Sequence, residues 1–191
     1  MIRDREGNEI SSCNSLKILG HTFSKTPTIQ AQLDHLTRKS NKRQFLLLNY
    51  KRSGVPKERL NDLYCAMTRS ILEYTSNVYH SLLNKGQSNE LERIQKRSLR
   101  IIYGYHYDYQ QLLELSGLET LQLRREKSFE KFTRKTAKNP KYMHWFPVNP
   151  TERLNRNTAP YKEEKSVGNR LYKSPIYAMR RLRNNSTSRP N

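Results

Sequence analysis

The sequence predicts a mainly α protein: a helical bundle with a short N-terminal β strand or hairpin and a largely disordered C-terminal tail. Three observations carry that prediction. Across residues 27–138, apolar side chains recur at helical spacing in segments bounded by prolines, glycines and capping residues. The stretch LKILGHTFS, residues 16–24, is apolar and partly alternating, as a strand is. From Thr151 onward there are ten basic and three acidic residues with few large apolar groups, too little to offset the entropy of ordering. With 34% hydrophobic residues, 191 residues build one modest core rather than several.

Each element follows from its punctuation. Gly20 puts a bend or bulge into the strand at 16–24. Thr26 is placed to cap the first helix with Pro27 at its first position. Ile29, Leu33, Leu36 and Leu47 keep its period, and Ser53-Gly54 closes it near residues 50–52. Pro56 opens the second helix, whose apolar set is Leu60, Leu63, Tyr64, Met67, Ile71, Tyr74 and Val78. That phase predicts Tyr64, Met67, Ile71, Tyr74 and Val78 buried on one face. Asn84 caps a third helix that ends at Gly104. Asp108 and Gly117 bracket a short fourth one, and Thr120 caps a long fifth that runs to Lys138 and stops at Asn139-Pro140. Within the tail, SPIYAMRRLR (174–183) is the exception, a basic amphipathic piece able to order against something.

Charge narrows the function. The chain carries 36 Lys and Arg against 17 Asp and Glu, a net charge of +19. Such an excess calls for a polyanion, with nucleic acid the commonest and an anionic membrane surface the rival. No stretch has the ~20 apolar residues of a membrane span, and the N-terminus lacks a signal-peptide core. The expected location is therefore intracellular, nuclear or cytoplasmic. Cys13 and Cys65 have no CxxC partner and read as reduced thiols.

The basic residues fall in stripes. Read as a helix, ERIQKRSLRIIYG (92–104) sets Arg93, Lys96, Arg97 and Arg100 on one face, with Leu91, Ile94, Ser98, Ile101 and Ile102 roughly opposite. Arg124, Lys127, Lys131, Arg134 and Lys138 form a second stripe against Leu121, Phe129, Phe132 and Thr136. Arg38, Lys39, Lys42 and Arg43 cluster on the first helix. Ten of these, Arg38, Lys42, Arg93, Lys96, Arg97, Arg100, Arg124, Lys127, Lys131 and Arg134, are the candidate nucleic-acid contacts. The tyrosine-rich run IIYGYHYDY (101–109) supplies either stacking platforms for unpaired bases or packing for a helix-to-helix corner.

A catalytic constellation is not written in the sequence. The five histidines, His21, His35, His80, His106 and His144, are scattered, with no HxxxH. There is no GxxxxGK[ST] or GxGxxG loop. Two-metal phosphoryl chemistry needs converging acids, yet the four aspartates, Asp4, Asp34, Asp62 and Asp108, each stand without an adjacent acid. No metal, cofactor or enzymatic activity is expected.

Four strings, in order, resemble the region that follows the polymerase core in LINE-type (non-LTR) retrotransposon reverse transcriptases: LKILGHTFS, SGVPKERLNDLYCAMTRSILEYTSNVYHSLL, QSNELERIQKRSLRIIYG and LETLQLRREKSFEKFTRKTAKNPKYMHWFP. RSILEYTSNVYH is similar to that family's R-x-x-LEYASPVWH element, with TSNVYH in place of ASPVWH. LERIQKRSLRII is similar to its LE-x-[IV]-Q-[KR]-[KR]-[AS]-L-[KR]-II element. The resemblance covers residues 16–147. It implies a strand remnant of the palm in 1–26 and a thumb/connector-like helical domain in 27–147, while composition makes 148–191 a basic, mostly disordered tail. It also implies that helices 27–104 hold template–primer. The polymerase motifs, including the Y-x-D-D box, would lie before residue 1, so the resemblance implies a non-catalytic fragment of an RNA-directed DNA polymerase. Its partners would be RNA or an RNA/DNA duplex and a separate polymerase core. A basic helical adaptor for an acidic protein or a membrane surface is the competing reading.

Overall fold

A computed structural model of the chain describes residues 2–3, 5–7, 9–10, 13–24, 29–148, 160–162 and 172–187. It is mainly helical, with two small N-terminal hairpins. Strands β1 (Ile2–Arg3) and β2 (Glu9–Ile10) pair antiparallel, as do β3 (Ser15–Ile18) and β4 (His21–Ser24). In the second hairpin Ser15 faces Ser24 and Ile18 faces His21. The residue expected to bend a strand instead turns it back on itself. Leu19 and Gly20 both have positive φ, 47° and 82°, the signature of a two-residue hairpin turn. Gly20 is doubly required, since a Cβ there would sit 3.1 Å from the ring of Tyr74. Tyr74 in turn donates from its hydroxyl to the Leu19 carbonyl (2.8 Å), fixing the hairpin tip on the helices.

Helix α1 (Gln30–Arg52) ends where Ser53 and Gly54 turn the chain, Gly54 at φ +80°. The expected cap, Thr26-Pro27, lies outside the described residues. The next helical stretch is α2 (Lys57–Tyr64), a π-helical turn (Cys65–Arg69) and α3 (Ser70–Glu73). This turn overturns the expected helical phase. A π turn holds more residues than an α turn and rotates everything after it. The buried series is Leu60, Tyr64, Thr68, Leu72, Ser76 and Tyr79. Met67 and Ile71 are half-buried, while Tyr74 (55% exposed) and Val78 (37%) face outward. The helix also breaks earlier than expected, because Thr75 adopts a left-handed conformation (φ +57°) before α4 (Ser76–Tyr79) begins.

The remaining elements follow their local signals. Asn84 caps α5 (Lys85–Tyr103), its side chain accepting from the Gln87 N–H while Gln87 reciprocates. Asp108 does the same with Gln111 for α6 (Tyr109–Ser116), which Gly117 closes in the left-handed conformation. Thr120 caps α7 (Leu121–Ala137) by accepting from the Leu123 N–H. Phe132, expected on the buried side of α7, is 37% exposed, and the buried face is Leu121, Arg125, Phe129, Thr133 and Thr136. Within the segment read as a tail, α8 (Pro175–Thr187) forms at the piece singled out as able to order. Its Met179 (1% exposed) joins Phe129 and Phe146 in a small cluster. Residues 149–159 and 163–171 lie outside the described set.

Two larger clusters hold the bundle. One joins Leu33 and Leu36 of α1, Leu72, Tyr79, Leu91, Ile94 and Leu121. The other joins Leu47, Leu60, Tyr64, Leu99, Ile102 and Leu112. Helices α1 and α5 lie side by side and run the same way. Gln30 meets Gln87, Gln44 meets Ile94 and Ser98, and Lys51 meets Ile101 and Ile102. The Lys51 ammonium thus sits on the last carbonyls of α5, where a cation complements the helix dipole.

Candidate nucleic-acid interface

The parallel packing of α1 on α5 creates the setting for the candidate site. On α1, Asp34, Thr37, Arg38, Asn41 and Gln44 share one flank, and on α5 so do Glu90, Arg93, Ile94 and Arg97; together they line a groove of about 760 Å³. The floor is pinned by Gln44, 3% exposed, whose Nε2 donates to the Ile94 carbonyl (2.8 Å) and to Ser98 Oγ (2.9 Å). Its Oε1 has no partner. Ile94 and Ser98 thus do what their place opposite the charges implied: they seal α5 against α1.

The candidate residues separate by environment. Arg38, Lys42, Arg93 and Arg97 are exposed, and among the described residues none has a carboxylate within ion-pair distance. Asp34 at the rim is held by Gln30 Nε2 (3.0 Å), and Arg38 Nε donates to the Asp34 backbone carbonyl (3.3 Å) rather than to its carboxylate. Lys96 and Arg100 are half-buried, so the stripe is not uniformly outward. The Lys96 ammonium lies 6.0 Å from the ring centre of Tyr109, and Arg100 Nε is inaccessible and without a partner.

Helix α7 presents its basic residues differently. The Arg124 guanidinium forks onto Glu73 of α3, with Nη2 to Oε2 at 3.0 Å, in a half-buried pair. Glu73 also lies 3.9 Å from Arg69. Lys127 pairs with Glu119, and Arg134 with Glu130 at 2.8 Å. Lys131 is exposed and makes no ion pair among the described residues. Three of the four α7 candidates therefore carry their own counter-charges, which a phosphate would have to displace. Among the described residues the α1 and α5 set forms no such ion pair, although Asp34 and Glu90 line the same groove.

The tyrosine-rich run mostly packs the corner between α5 and α6. Tyr103, Tyr107 and Tyr109 lean on the second core cluster, and Tyr105 remains 69% exposed. The Tyr109 hydroxyl donates to Glu92 Oε2 (2.6 Å), and burial with that bond pushes its ionisation far above the usual range. Glu92 also accepts from the backbone N–H groups of Leu121 (3.3 Å) and Gln122 (2.6 Å), so an acid of α5 caps the start of α7. Gln95, fully buried, accepts from Tyr64 (2.8 Å) and donates to Tyr109 and the Glu119 carbonyl (both 3.0 Å). Gly104 closes α5 at φ +125°, and a Cβ there would come within 2.8 Å of the His106 ring.

One basic residue of consequence belongs to none of the basic stripes. Arg125 lies four residues after Leu121 and four before Phe129, in the middle of the buried face of α7. A charged residue at a core position of the helical period was the signal that could have found it.

Among the described residues, no group of three or more His, Cys, Asp or Glu side chains could hold a metal ion. No described helix is long and apolar enough to cross a membrane. Comparison with family models, with curated proteins and with solved structures returns no match.

Proposed function

We propose that this chain is a non-catalytic nucleic-acid-binding unit, derived from the thumb and connector region of a LINE-type reverse transcriptase, that grips RNA or an RNA/DNA duplex along the α1/α5 groove. One observation carries the reading: Arg38, Arg93 and Arg97 converge on one groove and, among the described residues, form no ion pair, in a chain of net charge +19. Guanidinium forks match phosphate geometry and remain charged at any working pH. Such contacts position a backbone without reading bases. The four ordered motifs support the ancestry, and the lack of an acid adjacent to any of the four aspartates supports a role without chemistry. A separate polymerase core would then supply synthesis, and Lys42, Lys96 and Lys131 would add long-range attraction.

The exposed apolar side chains of α1, Phe45 (62%), Leu46 (38%) and Tyr50 (43%), favour a second reading, a basic adaptor for an acidic protein or membrane surface. Ultraviolet cross-linking of the full chain to RNA and to an RNA/DNA hybrid, mapped by mass spectrometry, separates the two. Cross-links concentrated in residues 38–45 and 93–100 are the expected result. Cross-links spread evenly over all basic segments, or confined to α7, would contradict the groove assignment.

A further inference from the structure

Arg125 is 2% exposed, and its guanidinium is almost without partners. Nη2 donates to Ser88 Oγ at 2.7 Å, while Nε, also buried, has none. Among the described residues it makes no ion pair, in contrast to its neighbour Arg124. The groups that act on it electrostatically are Tyr79 first, then the carboxylates Glu92 and Glu126. Glu92 is committed to Tyr109 and to the backbone at the start of α7, and Glu126 is held by Gln122 Nε2 at 3.0 Å. A buried cation without a counter-ion is strongly disfavoured relative to a paired one.

The surroundings of this group have the chemistry of a counter-ion site. Arg125 lines a cavity of about 320 Å³ between the first turns of α5, the 3-10 turn His80–Leu82 and α7. Lys85, Ser88, Asn89 and Gln122 line it too, bringing an ammonium, a hydroxyl and two amides. The N-terminus of the 19-residue helix α5 borders the same space and adds positive potential. Glu126 is the single carboxylate of the lining. We propose that this cavity is an oxyanion site for a phosphate group, with Arg125 as its buried cation and Lys85, Ser88, Asn89 and Gln122 as further donors. A guanidinium with an ammonium and neutral donors beside it is the set of groups that holds a phosphate. The site is separate from the α1/α5 groove and shares no residue with it, so it stands whether or not that groove binds nucleic acid. The phosphate has two possible sources, the free inorganic ion and the end of a nucleic-acid strand.

The test is calorimetric titration of the full chain at constant ionic strength. The probes are inorganic phosphate and a dithymidylate with or without a terminal phosphate. Saturable one-site binding is expected. Arg125→Gln, which removes a charge-assisted hydrogen-bond donor, should weaken it about tenfold or more. Lys57→Gln, which removes one exposed charge far from the cavity in sequence, should leave it unchanged. Because Arg125 is a core residue, Gln122→Glu provides a second variant at an exposed position. It keeps a good first-turn residue of α7 and sets a negative charge at the lip, so binding should again fall with circular dichroism unaltered. Binding of inorganic phosphate identifies the free ion as a ligand; binding only of the phosphorylated dithymidylate identifies a strand end. No saturable binding by the wild-type chain overturns the proposal, as does equal affinity in folded Arg125→Gln or, should that variant not fold, in Gln122→Glu.

Discussion

Leu72 and Ile71 are adjacent in sequence and sit in unequal environments, the first 1% exposed inside the cluster with Leu33 and Leu91, the second half-buried at its edge. Leu72→Ala should cost about 2–5 kcal/mol, the usual range for a buried leucine, and Ile71→Ala distinctly less. Urea denaturation of both variants checks the order, and a larger loss at Ile71 would restore the uninterrupted helical phase. Histidines make a second residue-scale prediction. Burial holds His21 and His80 below the ordinary value of 6.5, with the Arg125 charge adding at His80 and Glu126 opposing it. The unfolded chain therefore takes up protons first as pH falls. Stability is full above about pH 6.5 and is lost progressively below it. Urea midpoints measured between pH 8 and 5 should fall, and the double variant His21→Gln, His80→Gln should flatten the curve. A wild-type midpoint independent of pH over that range would contradict the assignment.

At the scale of elements, helix ends were legible because capping is local. Asn84, Asp108, Gly117 and Thr120 each act within about four residues. Asn84→Ala should accordingly cost about 1 kcal/mol, read as a lower thermal midpoint with native circular dichroism at 20 °C. The π turn at Cys65–Arg69 was not legible, since no residue type marks it and it serves a distant requirement. It brings Leu72 and Tyr79 into the same cluster as Leu33 and Leu91. Pairings across about fifty residues, such as Arg124 with Glu73 and Gln44 with Ile94, were equally hidden, as periodicity gives a face but not its neighbour. Helix α8 was half legible. Its amphipathic pattern was visible, but not that Met179 would find Phe129 and Phe146. Met179→Ala should therefore raise hydrogen exchange throughout α8 while leaving α5 protected. Unchanged exchange in α8 would mean the cluster does not hold it.

For the whole molecule, the candidate site was legible as charge and only partly as geometry. Arg93 and Arg97 were found from spacing within α5 alone. That Arg38 would join them across a groove, and that Arg124, Lys127 and Arg134 would instead be neutralised by acids, depended on how the helices assemble. This difference between paired and unpaired cations can be read from salt dependence. Binding to a single-stranded RNA and to an RNA/DNA hybrid would be titrated over a series of salt concentrations. The wild-type chain would be compared with Arg93→Gln, Arg97→Gln and with Lys127→Gln, Arg134→Gln. Each lost phosphate contact should flatten the slope of log K against log salt by about 0.7 on a single strand and about 0.9 on a duplex of B type. The groove double variant should lose about 1.4 to 1.8 units of slope and bind all sequences more weakly alike. The α7 double variant, whose charges are already paired, should lose much less. A groove variant that folds normally and keeps the wild-type slope and affinity would contradict the account.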